Sequence, residues 1–119
     1  MKIEGGGRYT PDNWVVLKFD IEGSPVVHKV LCGWSGGYLD GDVWQMNSGI
    51  TMVFEREDKV DFYGNSGSCY TCYKNSYGLR MNNAGMFNRL KAEFGDGVEL
   101  LPEDTDWNEY FNTTPSLEE

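Results

Sequence analysis

The segment from Gly33 to Gly49 combines residue types that are typical of binding surfaces. It reads GWSGGYLDGDVWQMNSG. Aromatic faces stack on bases or fill pockets in a partner, and backbone amides beside glycines bind oxyanions. A connection of this length between strands is often functional. We expect the following residues of this segment to contact a ligand or partner: Trp34, Tyr38, Asp40, Asp42, Trp44 and Asn47. In the alternative interpretation, the two tryptophans anchor a long connection in the core.

Histidine and cysteine, which zinc prefers as ligands, suggest a second kind of site. The candidates are His28, Cys32, Cys69 and Cys72. Their residue types would complete a structural zinc site. On a strand, however, His28 and Cys32 would lie roughly 13 Å apart, at ~3.3 Å per residue. The spacing of Cys69 and Cys72 would point their side chains to opposite faces. Zinc is therefore a minor alternative, and we expect neither a metal nor another cofactor.

Familiar catalytic signatures are absent from the sequence. It contains one histidine and no Gly-x-Ser-x-Gly, His-Glu-x-x-His or kinase motif. Asp40 and Asp42 could bind a cation or serve as acid and base, but the further oxygens of an EF-hand loop are missing. Solvated turn carboxylates are the simpler interpretation. We predict a protein that is not an enzyme, although Cys–His chemistry stays open because such partners meet in space.

Arg80 is the best single candidate for contact with an anion. It precedes a predicted helix start at Asn82 or Asn83, where free backbone amides favour phosphate. Neither a Walker loop nor a Gly-x-Gly-x-x-Gly motif accompanies it. The alternative is an ordinary surface arginine.

Most of the elements that must position these residues are β-strands. Runs of β-branched and aromatic residues between turn signals predict strands at 13–21, 26–32, 50–55, 59–63, 68–74 and 98–101. Residues 33–49 are interpreted as a loop, within which residues 44–46 could form a short strand. Apolar residues at helical spacing predict a helix over about 82–94, and residues 106–111 predict one helical turn. We expect an α+β fold, in which an antiparallel meander sheet of five to seven strands packs against one helix.

Length and charge limit the organisation and the partners. A chain of 119 residues favours a single domain, which we place at 1–111, followed by a frayed acidic tail at 112–119. The net charge of −9 lies entirely in residues 92–119, because residues 1–91 contain equal numbers of acids and bases. Such a segment repels nucleic acid and could attract a basic partner, or it serves solubility.

Neither a membrane span nor a signal peptide is evident, so we expect a cytoplasmic protein with reduced cysteines.

Three stretches of the sequence carry a resemblance. They are GGGRYTPDNW at 5–14, GGYLDGDVWQMNSGI at 36–50 and GSCYTCYKNSYG at 67–78. These stretches resemble short uncharacterised proteins encoded by tailed bacteriophages, over roughly residues 1–80. The resemblance implies no fold, activity or site. It implies a setting in which small accessory proteins bind a host protein, block a defence enzyme or sequester a signalling nucleotide.

We therefore predict a non-enzymatic binding module that acts in the host cytoplasm in a host–virus interaction. Through residues 33–49 it would bind a host protein or sequester a small, anionic, nucleotide-like ligand. One alternative is an acidic inhibitor of a nucleic-acid-binding host enzyme, acting through residues 92–119. Another is a small zinc-stabilised domain. We expect no direct binding to nucleic acid and no binding to membranes, and a homo-oligomer remains open.

Overall fold

Eight strands and two helices make up the part of the chain that the structure describes. The computed structural model describes the backbone of residues 8–37 and 41–112, and the side chains of 8–34 and 44–111. The strands are β1 (Arg8–Tyr9), β2 (Asn13–Phe19), β3 (Val27–Gly37), β4 (Gly41–Met46), β5 (Ile50–Glu55), β6 (Lys59–Gly64), β7 (Cys69–Tyr73) and β8 (Val98–Leu100). The helices are α1 (Met81–Phe94) and α2 (Trp107–Asn112), and short 3-10 turns occupy Lys74–Ser76 and Gly95–Gly97.

The strands divide equally between two sheets. Sheet I has the order β1-β7-β6-β5, and sheet II has the order β4-β3-β2-β8. Neighbouring strands are antiparallel except for β1 and β7, which are parallel. Strands that follow one another in the sequence form hairpins in both sheets, whereas β1 and β8 join sheet edges from distant parts of the chain.

Sheet II lies between sheet I and α1, so both of its faces are buried. Six of the seven residues in β2 are buried. Trp14 packs with Phe62 in the cluster between the two sheets, whereas Leu17 packs with Leu90 of α1 on the opposite face. A strand that is buried on both faces needs apolar residues on both. For this reason residues 14–17 of β2 form a continuous apolar run without alternation.

Helix α2 closes one end of the space between the sheets. Trp107 is 1% exposed, and its ring lies 5.6 Å from that of Trp14. At the start of this helix, the Asn108 N–H donates to Glu55 Oε1 at 3.1 Å, and negative charge is favourable at that position. Helix α2 is thus part of the core, and the helical turn predicted at 106–111 is confirmed.

The α+β class is confirmed, but the single meander sheet is wrong. The predicted strands occur close to their predicted positions, and α1 lies where the helix was predicted. However, the strands are shared between two sheets that pack face to face, and α1 covers sheet II. A period of two residues shows which side chains share a face of a strand. It does not show which other strand that face meets.

The segment from Gly33 to Gly49 is a hairpin instead of the predicted loop. Strand β3 continues to Gly37, β4 begins at Gly41, and their pairing includes Gly33 with Trp44. Glycine is depleted in strands, and the glycine-rich composition therefore argued against strand here. Pairing with β2 and β4 overrides that local preference. The pairing of β3 with β4 is irregular between Trp34 and Gly37.

Two further predictions concern the ends of the fold and its surroundings. Of the predicted acidic tail at 112–119, residues 113–119 lie outside the described residues. In the described part of the chain, no helix has the length and apolar character needed to cross a membrane.

Candidate functional site

The predicted binding residues of the β3–β4 hairpin lie partly outside the described region. Tyr38, Asp40 and the Asp42 side chain are not described. Trp34 is half-buried, and its indole N–H donates to the Thr10 carbonyl at 3.0 Å. Trp44 is 45% exposed on the edge strand β4. Trp34 therefore has a structural contact, whereas Trp44 is accessible at the surface. Ligand or partner binding by residues 33–49 stays a prediction.

Asn47 and Arg80, the remaining predicted binding residues, have structural contacts. Asn47 is buried, and its Oδ1 accepts the Val30 N–H at 2.9 Å while its own N–H donates to the Val30 carbonyl. It thus continues the pairing of β3 beyond the end of β4. Arg80 is exposed at the start of α1, where its backbone N–H donates to Asn83 Oδ1 at 2.9 Å.

A buried cluster of asparagines joins α1 to sheet II, and no pattern in the sequence predicts it. Asn13 and Asn82 exchange two hydrogen bonds, of 3.0 and 2.7 Å, and Asn83 joins them through Asn13 Nδ2 at 3.2 Å. All three are at most 5% exposed. The doublet at 82–83 was interpreted only as a helix cap. Its second role depends on β2, which lies far away in the sequence.

The four residues of the minor zinc alternative are not assembled into a site. Cys32 and Cys72 are buried between the sheets, whereas Cys69 lies on the opposite face of sheet I, 3.5 Å from Arg8. Among the described residues, no three potential ligands cluster around a common point. Burial raises the pKa of Cys72 well above its usual value, and the adjacent Cys32 adds to this. That thiol is therefore held in its neutral form.

A cleft of about 570 Å³ lies between β5 and the start of β3. We call it the β5 cleft. It is lined by Val26, Val27, His28, Gly49, Ile50, Thr51, Met52, Val53, Asn65 and Phe111. Most of these residues are apolar and none is acidic. Its volume lies within the range of ligand-binding pockets, and its lining residues come from both sheets and from α2.

Strand β5 has an open main-chain edge that faces this cleft. No described strand follows β5 in sheet I. The Arg56 N–H donates to the Lys59 carbonyl at 2.8 Å, so Arg56 faces β6. Because pairing alternates along an antiparallel ladder, the Val53 and Glu55 main-chain groups face away from β6. The Glu55 N–H is taken by Asn108 Oδ1 at 2.9 Å. Val53, which is 5% exposed, is then the position of β5 whose main-chain groups have no described strand beside them.

The opposite wall of the β5 cleft is a second strand edge. Val30 pairs with Asn47 on the β4 side of β3. By the same alternation, the His28 main-chain groups also point to that side. Strand β4 ends at Met46, which pairs with Leu31, so it does not extend alongside His28. The cleft is thus bordered by open edges from both sheets.

The sole histidine forms part of the cleft wall. His28 Nε2 and the Tyr110 hydroxyl share a hydrogen bond of 2.9 Å, and the Phe111 ring lies edge-on at 5.1 Å. Burial lowers the pKa of His28, and the neighbouring Lys18 lowers it further. The imidazole is therefore neutral at pH 7, and the cleft keeps its apolar character.

The rim of the cleft exposes large apolar side chains. Val26 is 47% exposed, Met52 is 48% exposed, and Phe54 on the outer face of β5 is 52% exposed. Natural proteins protect edge strands with lysine, proline, bulges or covering segments. Residues 50–54 contain neither lysine nor proline, although the register of β5 shifts between Ile50 and Met52. The protection is therefore partial, and an apolar surface lies beside an open edge.

Comparison of the chain with protein-family models, curated proteins and solved structures gave no match. The resemblance to bacteriophage accessory proteins therefore stays a prediction.

Proposed function

We propose that this protein is a non-enzymatic binding module that takes an extended segment of a protein partner into the β5 cleft as an added strand. The observation that carries the proposal is the unpaired edge of β5 beside exposed apolar side chains. In strand addition, main-chain hydrogen bonds supply affinity, and pockets for alternate side chains supply specificity.

The arrangement of side chains defines the partner segment. Side chains on one face of an added strand would enter the cleft toward Val26 and Phe111. Those on the other face would lie beside Met52 and Phe54 on the outer surface of sheet I. A segment that is apolar on both faces therefore fits best. The open edge is short, because the register shift precedes Met52 and Asn108 covers Glu55, so we expect contact over a few residues.

The chemistry of the cleft supports binding over catalysis. His28 is its one titratable side chain, and Tyr110 already engages that ring. Acid–base and nucleophilic mechanisms require a positioned partner for such a group, and no cysteine or carboxylate lines the cleft. The proposed binding site includes one end of the predicted 33–49 segment, because Gly49 lines the cleft.

The proposal is tested with peptides selected from a random display library against the full chain. We expect the selected peptides to slow hydrogen exchange at the Val53 amide. Met52→Lys places a charge beside the open edge and should weaken binding by about tenfold or more, which corresponds to about 1.4 kcal/mol.

Met81→Lys is the matched control. Met81 is 89% exposed on α1, so the same substitution there should leave peptide affinity unchanged. Selected peptides that bind the Met52→Lys variant as tightly as the wild type would refute the proposal. Failure of the selection to yield any peptide that protects the Val53 amide would also count against it.

A further inference from the structure

A second cavity lies on the opposite side of β3, between the β2–β3 connection and the C-terminal half of α1. It encloses about 410 Å³, and we call it the α1 pocket. Phe19, Leu90 and Phe94 form its inner wall, and Pro25 and Met46 border it. Seven of its nine lining residues are apolar; the others are Ser24 and Lys29. Its lining is thus more uniformly apolar than that of the β5 cleft.

The lining of this apolar pocket includes one positively charged side chain, that of Lys29. The Lys29 ammonium lies 5.7 Å from the centre of the Phe19 ring, so the charge is held against the wall by the aromatic face. No carboxylate lines the pocket. Asp20 and Glu22 belong to the same connection, but they are exposed and outside the lining. The pocket therefore combines an apolar interior with a single positive charge.

The surrounding elements hold the pocket open. Phe19 and Phe94 meet edge-on at 6.4 Å, which fixes the end of α1 over β2. Lys91 donates to the Val98 carbonyl at 2.8 Å and ties the last turn of the helix to β8. Phe94 and Val27 are still 36% and 37% exposed, so apolar surface remains uncovered at the pocket. A ligand that covers these side chains would gain apolar burial that the fold itself does not provide.

From this complementarity, we propose that the α1 pocket binds a small organic acid with an apolar body, such as a medium-chain carboxylate. The apolar body lies against Phe19, Leu90 and Phe94, and the carboxylate pairs with Lys29. The proposal is argued separately from strand addition at β5, because the two cavities lie on opposite faces of β3 and Val27 is the one lining residue that they share.

Decanoate, titrated into the full chain and followed by amide chemical shifts in NMR spectra, is the direct test. We expect saturable shifts at residues of the α1 pocket. Lys29→Gln should weaken decanoate binding by about tenfold, which corresponds to about 1.4 kcal/mol, because the carboxylate loses its charged partner. Decanol, which lacks the charge, should bind equally to the wild type and to this variant.

Lys59→Gln is the matched control variant. Lys59 also lies over an aromatic ring, 5.6 Å from the centre of Tyr73, but on sheet I. Its substitution should leave decanoate affinity unchanged. Ser24→Trp, at an exposed position of the lining, should block the pocket without altering the thermal unfolding midpoint. Equal decanoate affinity in wild type and Lys29→Gln, shifts confined to the β5 cleft, or no saturable shifts would each overturn the proposal.

Discussion

Gly33→Ala provides a sharp test of how the asparagine cluster holds α1 on sheet II. A Cβ atom at Gly33 would lie 2.0 Å from Asn82 Oδ1 and 2.3 Å from Asn82 Cγ. Real Cβ atoms do not approach other heavy atoms so closely, so the Asn82 side chain must move. Asn82 is buried, and its hydrogen bonds of 3.0 and 2.7 Å to Asn13 would be lost.

The size of the effect follows from these lost hydrogen bonds. Each of the two amides would lose one donated and one accepted hydrogen bond at a buried position, although Asn13 Nδ2 would keep Asn83 Oδ1 and the Gly78 carbonyl as partners. A buried polar group left without a partner costs about 1–3 kcal/mol, so we expect Gly33→Ala to reduce the free energy of unfolding by about 3 kcal/mol. In a domain of this size, that corresponds to a fall of about 10 °C in the midpoint of thermal unfolding.

Chemical denaturation followed by circular dichroism gives the free energies of unfolding. Gly85→Ala is the matched control. Gly85 lies within α1 with no atom near its Cβ position, so this substitution should stabilise the protein by about 0.5–1 kcal/mol. The same chemical change should therefore have opposite signs at the two glycines.

A double-mutant cycle isolates the cause. In an Asn82→Ala background, the clash with residue 33 is absent, so Gly33→Ala should cost little beyond Asn82→Ala alone. If Gly33→Ala is as stable as the wild type, or if its cost is unchanged in the Asn82→Ala background, the proposed contact does not hold α1 in place.

Three further predictions concern single side chains. Tyr77→Phe leaves the Val16 N–H without its 3.2 Å partner and should cost about 1–3 kcal/mol by chemical denaturation. Burial raises the pKa of Tyr77 to about 12. Stability should therefore fall as pH rises from about 10 to 12, because the unfolded chain releases this proton first, and Tyr77→Phe should reduce that slope. Burial and Lys18 lower the pKa of His28, so stability should fall on acidification below about pH 6.5, and His28→Gln should flatten the profile; an unchanged slope would contradict this. Trp107→Ala should cost about 3–5 kcal/mol in the same assay, and a loss below 1 kcal/mol would show that α2 is not part of the core.

Strand positions were the most predictable part of the fold. The run at 50–55 coincides with β5, and the helical spacing at 82–94 lies within α1. The Asn-Ser-Gly turn at 65–67 ends in Gly67, whose φ of 91° is the left-handed conformation that glycine favours. These features depend on residues close together in the chain, and local preferences are therefore sufficient to locate them.

Strands β1 and β4 were harder to predict for different reasons. Strand β1 has two residues, too few to show a periodic pattern. Strand β4 begins in a glycine-rich stretch, and its existence depends on pairing with β3. In both cases the partner strand supplies the stabilisation that the local sequence lacks.

The candidate site was less predictable than the fold. The sequence indicated His28 only as a possible zinc ligand and Val53 only as part of a predicted strand. Nothing in their spacing shows that they border the same cleft. Trp44 and Trp34 have the same residue type and a similar sequence context, yet one is 45% exposed and the other is hydrogen-bonded to Thr10. The exposure of each tryptophan depends on which elements of the fold pack against its side chain.

The sequence by itself determined the secondary structure class, the position of the helix and the location of the net charge, because each depends on local composition or short periodic patterns. The tertiary structure alone decided that the strands form two sheets, that β5 keeps an open edge and that Asn13, Asn82 and Asn83 meet. The Gly33–Gly49 segment illustrates the difference. Its composition indicated a binding loop, whereas the pairing of β3 with β4 made most of it a hairpin. The close approach of Asn82 explains why residue 33 is glycine. Contacts between residues distant in the chain depend on how whole faces of strands and helices pack. The pattern of a single sequence shows which residues share a face, but it does not show which other element that face contacts.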